Sequence, residues 1–327
     1  MTEAEARSDS AAALHGIVVG RVQRMKAMFA VCVSMLLASC TTAGLERSGQ
    51  PQIAITIDDL PVHAPYPPGV TALEVNRQMV AALQAARVPA TAFVNAVNVT
   101  DPDTMEALRD WRAAGFVLGN HTWSHPHLSQ LTIPQFEDEL TQGEPLLREL
   151  GAGTDWRWFR YPFLDEGKDE TQRVAARAVL AKHDYRVAAV TMSFSDWAFT
   201  GAYARCKAAH DAAAVSELER LYLQAARENI SASRDAAHRL YGGEIPYVLL
   251  MHVSAMSAHM MPQVVRLYRK AGFRFVSLPE AESDPAYAGY TDLAAPPPPS
   301  PQELATAKHV TLTPAPDHSA RLNTICA

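Results

Sequence analysis

Residues 53–65 read IAITIDDLPVHAP, four apolar residues and a threonine running straight into two adjacent carboxylates, Asp58 and Asp59. β-Branched residues of this kind fit a buried strand, and a strand that ends in Asp-Asp sets two like charges side by side at a cost in free energy. Similar short apolar runs recur along the chain. TAFV (91–94), FVLG (116–119), WFRY (158–161), VAAVT (187–191), YVLLM (247–251) and FRFVS (273–277) bring the candidate strands to seven. Most are separated by 10 to 20 residues of helical spacing, with Leu73, Met79, Val80 and Leu83 on one stripe and Phe136, Leu140, Leu147 and Leu150 on another. Such alternation predicts an α/β fold, a parallel sheet with helical crossovers, one strand short of the usual eight-stranded barrel.

One segment breaks the rhythm. Residues 198–245 read as one or two long helices inserted between strands five and six, either a decorated crossover or a cap over the substrate. After SLPEAESDPAY the pattern fades, and the proline-rich AAPPPPSPQ (294–302) reads as extended, so 283–327 is taken as a C-terminal tail.

Bulk composition sets wide bounds. A chain of 327 residues with 48% hydrophobic and 20% charged residues is of ordinary globular type. Its formal charge of −6 and the lack of a basic stripe give no reason to expect nucleic acid as a partner, and no protein partner is evident.

The N-terminus speaks to location. Arg21, Arg24 and Lys26 precede an apolar run from Ala27 to Leu37, too short to span a bilayer but suited to a signal peptide. It closes on Leu37-Ala38-Ser39-Cys40, which resembles a bacterial lipobox. That resemblance implies a signal at 25–39, lipidation of Cys40, a tether at 40–51 and a periplasmic protein anchored in the outer membrane, since residue 41 is Thr rather than Asp. The alternative is an ordinary secretory signal with an incidental cysteine. Residues 1–24 carry Glu3, Glu5 and Asp9, which suit a signal poorly, and translation is expected to start at Met25. Of the four cysteines, Cys206 and Cys326 would remain in an oxidising compartment, where they are expected to pair.

Reactive residues gather at strand ends. Asp58 and Asp59 follow strand one, NHTWSHPH follows strand three, RYPF ends strand four, SDW follows strand five and His252 follows strand six. In (β/α) barrels that end of the strands builds the active site. His121 and His125, four apart, have the spacing that brings two imidazoles to one side of a helical turn. With one carboxylate they suit a two-His, one-carboxylate site for a divalent cation, whose charge would make the second carboxylate tolerable. Alone, an HxxxH pair is more often two surface histidines.

In order, TIDD (56–59), HTWSH (121–125), RYPF (160–163), DW (196–197) and LLMH (249–252) resemble the five motifs of the polysaccharide deacetylases of carbohydrate esterase family four, the NodB-homology domain, over residues 52–282. The resemblance implies a distorted seven-stranded (β/α) barrel and a metal-dependent hydrolase that removes acetyl groups from an N-acetylated envelope or extracellular polysaccharide. Asp59, His121 and His125 would hold the divalent metal, zinc before cobalt or nickel. Asp58 would be the base that activates metal-bound water, His252 the acid, Arg160 the partner of Asp58 through a charge-assisted hydrogen bond, and Asp196 the partner of His252. The Phe163 N–H would face the oxyanion, and Trp197 and Leu250 the acetyl methyl.

This chain has Asp196 as the single carboxylate near its DW pair and a long gap from Trp197 to His252. His63 and His127 lie near the site and could touch sugar or metal, but with His259 they are read first as solvated loop histidines, and Trp123 as packing. Two other functions stay open: O-acetyl ester hydrolysis on an acetylated glycan, and a non-catalytic glycan-binding lipoprotein of the same fold. A serine hydrolase is excluded, because no G-x-S-x-G is present.

Overall fold

The computed structural model describes residues 49–327. The expected start at Met25, the signal at 25–39, Cys40 and most of the tether lie outside the described residues. None of the described helices is long and apolar enough to cross a membrane.

All seven expected strands form: β1 (Gln52–Leu60), β2 (Ala90–Val94), β3 (Val117–Asn120), β4 (Trp158–Phe159), β5 (Arg186–Val187), β6 (Tyr247–His252) and β7 (Arg274–Phe275). Every pairing is parallel, in the order β5-β4-β3-β2-β1-β6, with β7 beside the start of β1. The sheet curls until its two edges meet. Past β5 the chain crosses to β6, where Met192 bridges Leu249 and the Leu250 N–H donates to the Met192 carbonyl at 2.9 Å. The result is the distorted seven-stranded (β/α) barrel that the motifs imply.

The distortion has a local cause. Residues 187–191 read as a five-residue strand, yet only the first is in the ladder of β5. The Ala188 and Ala189 carbonyls instead accept from the buried Arg160 side chain at 3.0 and 3.3 Å, and the Ala189 N–H donates to Glu282 Oε1 at 2.7 Å. Side chains have replaced a neighbouring strand.

Helices cover the sheet: α1 (Ala72–Ala86), α2 (Pro102–Ala113), α3 (Ile133–Thr141), α4 (Glu144–Leu150), α5 (Glu170–Lys182), α6 (Phe199–Ala208), α7 (Ala212–Tyr241) and α8 (Ala255–Lys270). A capping box between Thr71 and Glu74 starts α1, whose Val75, Met79, Val80 and Leu83 are buried. The second apolar stripe is shared by two helices, because Gly143 and Pro145 part α3 from α4. The insert takes its place between strands five and six as α6 and α7. The 30-residue α7 is capped by Asp211, ends on Gly242 at φ 77°, and packs with α6 against α8.

Residues beyond 282 differ from their reading as a patternless tail. The segment 296–300 has no regular structure, but after α9 (Leu278–Ala281) the helices α10 (Ala288–Thr291), α11 (Pro301–Ala307) and α12 (Ser319–Thr324) fold back onto the barrel and the insert. Leu322 and Ile325 are buried. Arg205 Nη2 donates to their two carbonyls at 2.8 and 3.1 Å, and Cys206 is disulfide-bonded to Cys326. Buried apolar residues this sparse leave no periodic signal in the sequence.

Candidate active site

The sheet register fixes the first relationship. Asp58 at the end of β1 is paired across the ladder with His252 at the end of β6. An extended strand would send Asp58 and Asp59 to opposite faces, but Asp59 has a left-handed φ of 67°. Both carboxylates therefore reach the same imidazole: His121 Nε2 lies 3.7 Å from Asp58 Oδ2 and 3.5 Å from Asp59 Oδ1.

His121 is held by its other nitrogen. Nδ1 lies 2.8 Å from the Arg160 carbonyl, which only accepts, so Nδ1 carries the hydrogen and Nε2 presents its lone pair. His125 Nε2 is 3.3 Å from Asp59 Oδ1. The two histidines come together through a loop, not the expected helical turn. Thr122 and His125 both have positive φ, 66° and 62°, and the Thr122 hydroxyl accepts from the His125 N–H. Burial, with His121 alongside, depresses the His125 pKa to about 4, so its ring is neutral at pH 7. Burial opposes ionisation of Asp59, but the His121 and His63 imidazoles outweigh it and hold the carboxyl well below its usual range.

These residues fit a divalent cation. One ligand atom each from Asp59, His121 and His125 lie within 4.8 Å of one another. Asp59 Oδ1 is buried with no hydrogen-bond partner, and the His121 lone pair points at anionic oxygens. A cation among them answers both problems.

Arg160 and Asp196 stand behind the cleft, 1% and 0% exposed. Arg160 Nη1 is 3.5 Å from Asp58 Oδ2, an ion pair rather than the expected hydrogen bond. Its Nε and Nη2 are committed to Ala188, Ala189 and the Thr56 hydroxyl, and its guanidinium lies 5.0 Å over the Phe93 ring. Asp196 takes both donors of His252, Nδ1 and the backbone N–H, at 2.8 Å each. Burial works against the charged imidazole, but Asp196 prevails and raises the His252 pKa to about 9. Ser257 Oγ donates to Asp196 Oδ2 at 2.7 Å and accepts from Tyr222 of α7 at 3.0 Å, so the insert reaches the dyad.

A cleft of about 350 Å³ opens above these groups, lined by Asp58, Asp59, His121, His125 and His252, with Phe163, Trp197 and Leu250 on its walls. Phe163 has a left-handed φ of 57° in a short 3-10 turn, 162–164, that opens on Pro162. Its exposed ring stacks on His127 at 3.8 Å and meets His125 edge-on at 4.5 Å. Trp197 is 54% exposed at the rim, whereas Leu250 is buried.

The other histidines separate. His63, read as a solvated loop residue, places Nδ1 2.6 Å from Asp59 Oδ2, with its backbone N–H on the Tyr66 hydroxyl. Its spacing of four from Asp59 was the one available sign. His127 pairs with Asp165 at 3.3 Å, and His259 pairs with Glu219 at 2.7 Å, not with any residue of this cleft. Trp123 is half-buried. Ser257, Tyr222 and Glu282 carried no sequence signal, being ordinary members of helical stripes or loops.

Residues 46–188 match the family model described as polysaccharide deacetylase. That span holds Asp58, Asp59, His121, His125, Arg160 and Phe163, while Asp196 and His252 lie beyond it. No curated protein sequence is similar to this chain. Among solved structures, the chitin deacetylase from the fungal pathogen Colletotrichum lindemuthianum aligns with 21% identity over 71% of this chain and 88% of its own, at a TM-score of 0.52. A CE4 family pseudoenzyme from Bacillus anthracis aligns with 14% identity over 71% of this chain and 66% of its own, at a TM-score of 0.51. At such identities these structures speak for the shared barrel. The family match identifies residues 46–188 as a polysaccharide deacetylase domain, and these structures share its barrel.

Proposed function

We propose that the protein is an N-deacetylase of an N-acetylated polysaccharide on the envelope side of a bacterial cell, working with a divalent metal, zinc. The observation that carries the reading is the juxtaposition of the Asp59, His121 and His125 ligand atoms with two oppositely paired groups, Asp58 beside Arg160 and His252 beside Asp196.

The bound cation supplies Lewis-acid polarisation of the acetyl carbonyl and lowers the pKa of water. Asp58, paired with Arg160, takes the proton from the attacking water. The Phe163 N–H donates to the carbonyl oxygen as it gains charge. His252 then gives its proton to the departing nitrogen, and acetate and a free amine result. An imidazole with a pKa near 9 is protonated at neutral pH, the state an acid needs. Trp197 and Leu250 wall the space for the methyl group.

Release of acetate by the purified protein from N-acetylated and O-acetylated glycans, before and after chelation and with zinc restored, tests this. Chelation-sensitive release from the N-acetylated glycan alone supports it; release from the O-acetylated glycan alone makes the protein an ester hydrolase. For location, the Leu37-Ala38-Ser39-Cys40 sequence supports lipidation. Labelling of cells with a fatty-acid analogue should mark the wild type and not Cys40→Ser.

A further inference from the structure

We infer that the channel between α7 and the folded-back C-terminal segment is a second glycan-binding groove, holding sugar units next to the one in the catalytic cleft; the inference rests on the polysaccharide substrate proposed above. The groove adjoins the active site through one shared residue. Ser193 lines the catalytic cleft and also two further cavities, of about 300 and 550 Å³, that run between α7 and residues 301–322.

Its chemistry suits a neutral sugar chain. Ser233, Gln302 and Thr313 offer hydroxyl and amide groups, while Ala236 and Leu240 offer apolar surface for the C–H faces of the rings. Asn229 lines both cavities and is 8% exposed, and its Oδ1 is buried with no hydrogen-bond partner. An amide so placed requires a partner, and a sugar hydroxyl or acetamide can donate to it. The charged groups on the wall already have hydrogen-bond partners. His318 pairs with Glu228 at 2.7 Å, and Asp317 accepts from the Ser319 N–H and hydroxyl. That pattern favours an uncharged glycan over a uronic acid polymer.

The far wall is also built to stay in place. The Cys206–Cys326 disulfide, the Arg205 bonds to two carbonyls and the paired Arg321–Glu217 contacts at 2.7 Å all fasten it to the insert. A groove ordered in advance spares the bound chain that ordering cost.

The test uses the zinc-loaded full chain with β-1,4-linked N-acetylglucosamine dimer and hexamer, followed by calorimetric binding and by acetate release. The wild type should bind the hexamer more tightly than the dimer. Asn229→Leu and Ser233→Trp should each lower the hexamer-to-dimer affinity ratio about tenfold, and the ratio of kcat/KM in parallel. Ser233 is only half-buried, so its variant carries the test should Asn229→Leu fail to fold. Equal binding of dimer and hexamer, or a wild-type ratio in the folded variants, would overturn the groove. Binding that follows the expected pattern without any acetate release would leave the groove standing and defeat the deacetylase reading instead.

Discussion

Asp58 and His252 are direct partners across β1 and β6, so backbone pairing holds the carboxylate and the imidazole side by side in the lining of one cleft. Each has its own buried counter-charge behind it, Arg160 for Asp58 and Asp196 for His252. One strand register thus brings together the two groups to which the proposed reaction gives the roles of base and acid, each with its own partner.

Asp58→Asn removes the proposed base and keeps the shape. Acetate release should fall by about 10²- to 10⁴-fold, while the protein still binds one metal ion per chain. Metal analysis beside the rate measurement checks this, and a variant that loses both would make Asp58 a ligand.

His63 holds the second oxygen of Asp59 at 2.6 Å. Partners of a metal ligand tune affinity by about 10- to 100-fold. His63→Ala should weaken zinc binding by that amount in a competition titration against a chelator. Full rates should return at saturating zinc. An unchanged affinity would reduce His63 to a packing residue.

His252 should titrate near pH 9 in the metal-free protein, read by NMR of its ring. The sign is that of a cation stabilised by Asp196, so Asp196→Asn should bring the midpoint down. Release of acetate should fall with it, because the ring loses both its charge partner and its fixed orientation. A midpoint that does not move would mean that Asp196 holds the loop alone.

Glu282 provides a pH effect away from the cleft. Burial pushes its pKa up to about 8, partly countered by the Ala189 N–H and by Arg160. A carboxyl with a folded pKa above its unfolded value contributes stability that is full below about pH 4.5, and that stability is lost as pH rises through about 8. Glu282→Gln removes this slope while keeping an acceptor for Ala189. Thermal melts across pH 5 to 9 should show the variant gaining on the wild type toward high pH, by at most about 4 kcal/mol. Parallel curves would refute the buried-acid account.

The Cys206–Cys326 bond closes a loop of 120 residues. Replacing both cysteines by serine should cost up to about 4 to 5 kcal/mol in the chain-entropy model. Denaturant unfolding measures the loss directly.

The sequence by itself determined the strands, the insert and the motif residues, because each is written in local order. Apolar runs mark the seven strands, and reactive side chains follow directly on five of them. Parallel strands all present the same end, so these residues had to share a rim. Tertiary structure alone decided the rest. The left-handed turn at Asp59 brings two neighbouring carboxylates to one imidazole, and a loop rather than a helix joins His121 to His125. Glu282 reaches Ala189 across 93 positions, and Tyr222 reaches Asp196 through Ser257. The C-terminal segment gains its place from a few buried residues, one disulfide and ion pairs to the insert. Such contacts depend on which surfaces meet in space, and a single isolated partner leaves no period along the chain for sequence to reveal.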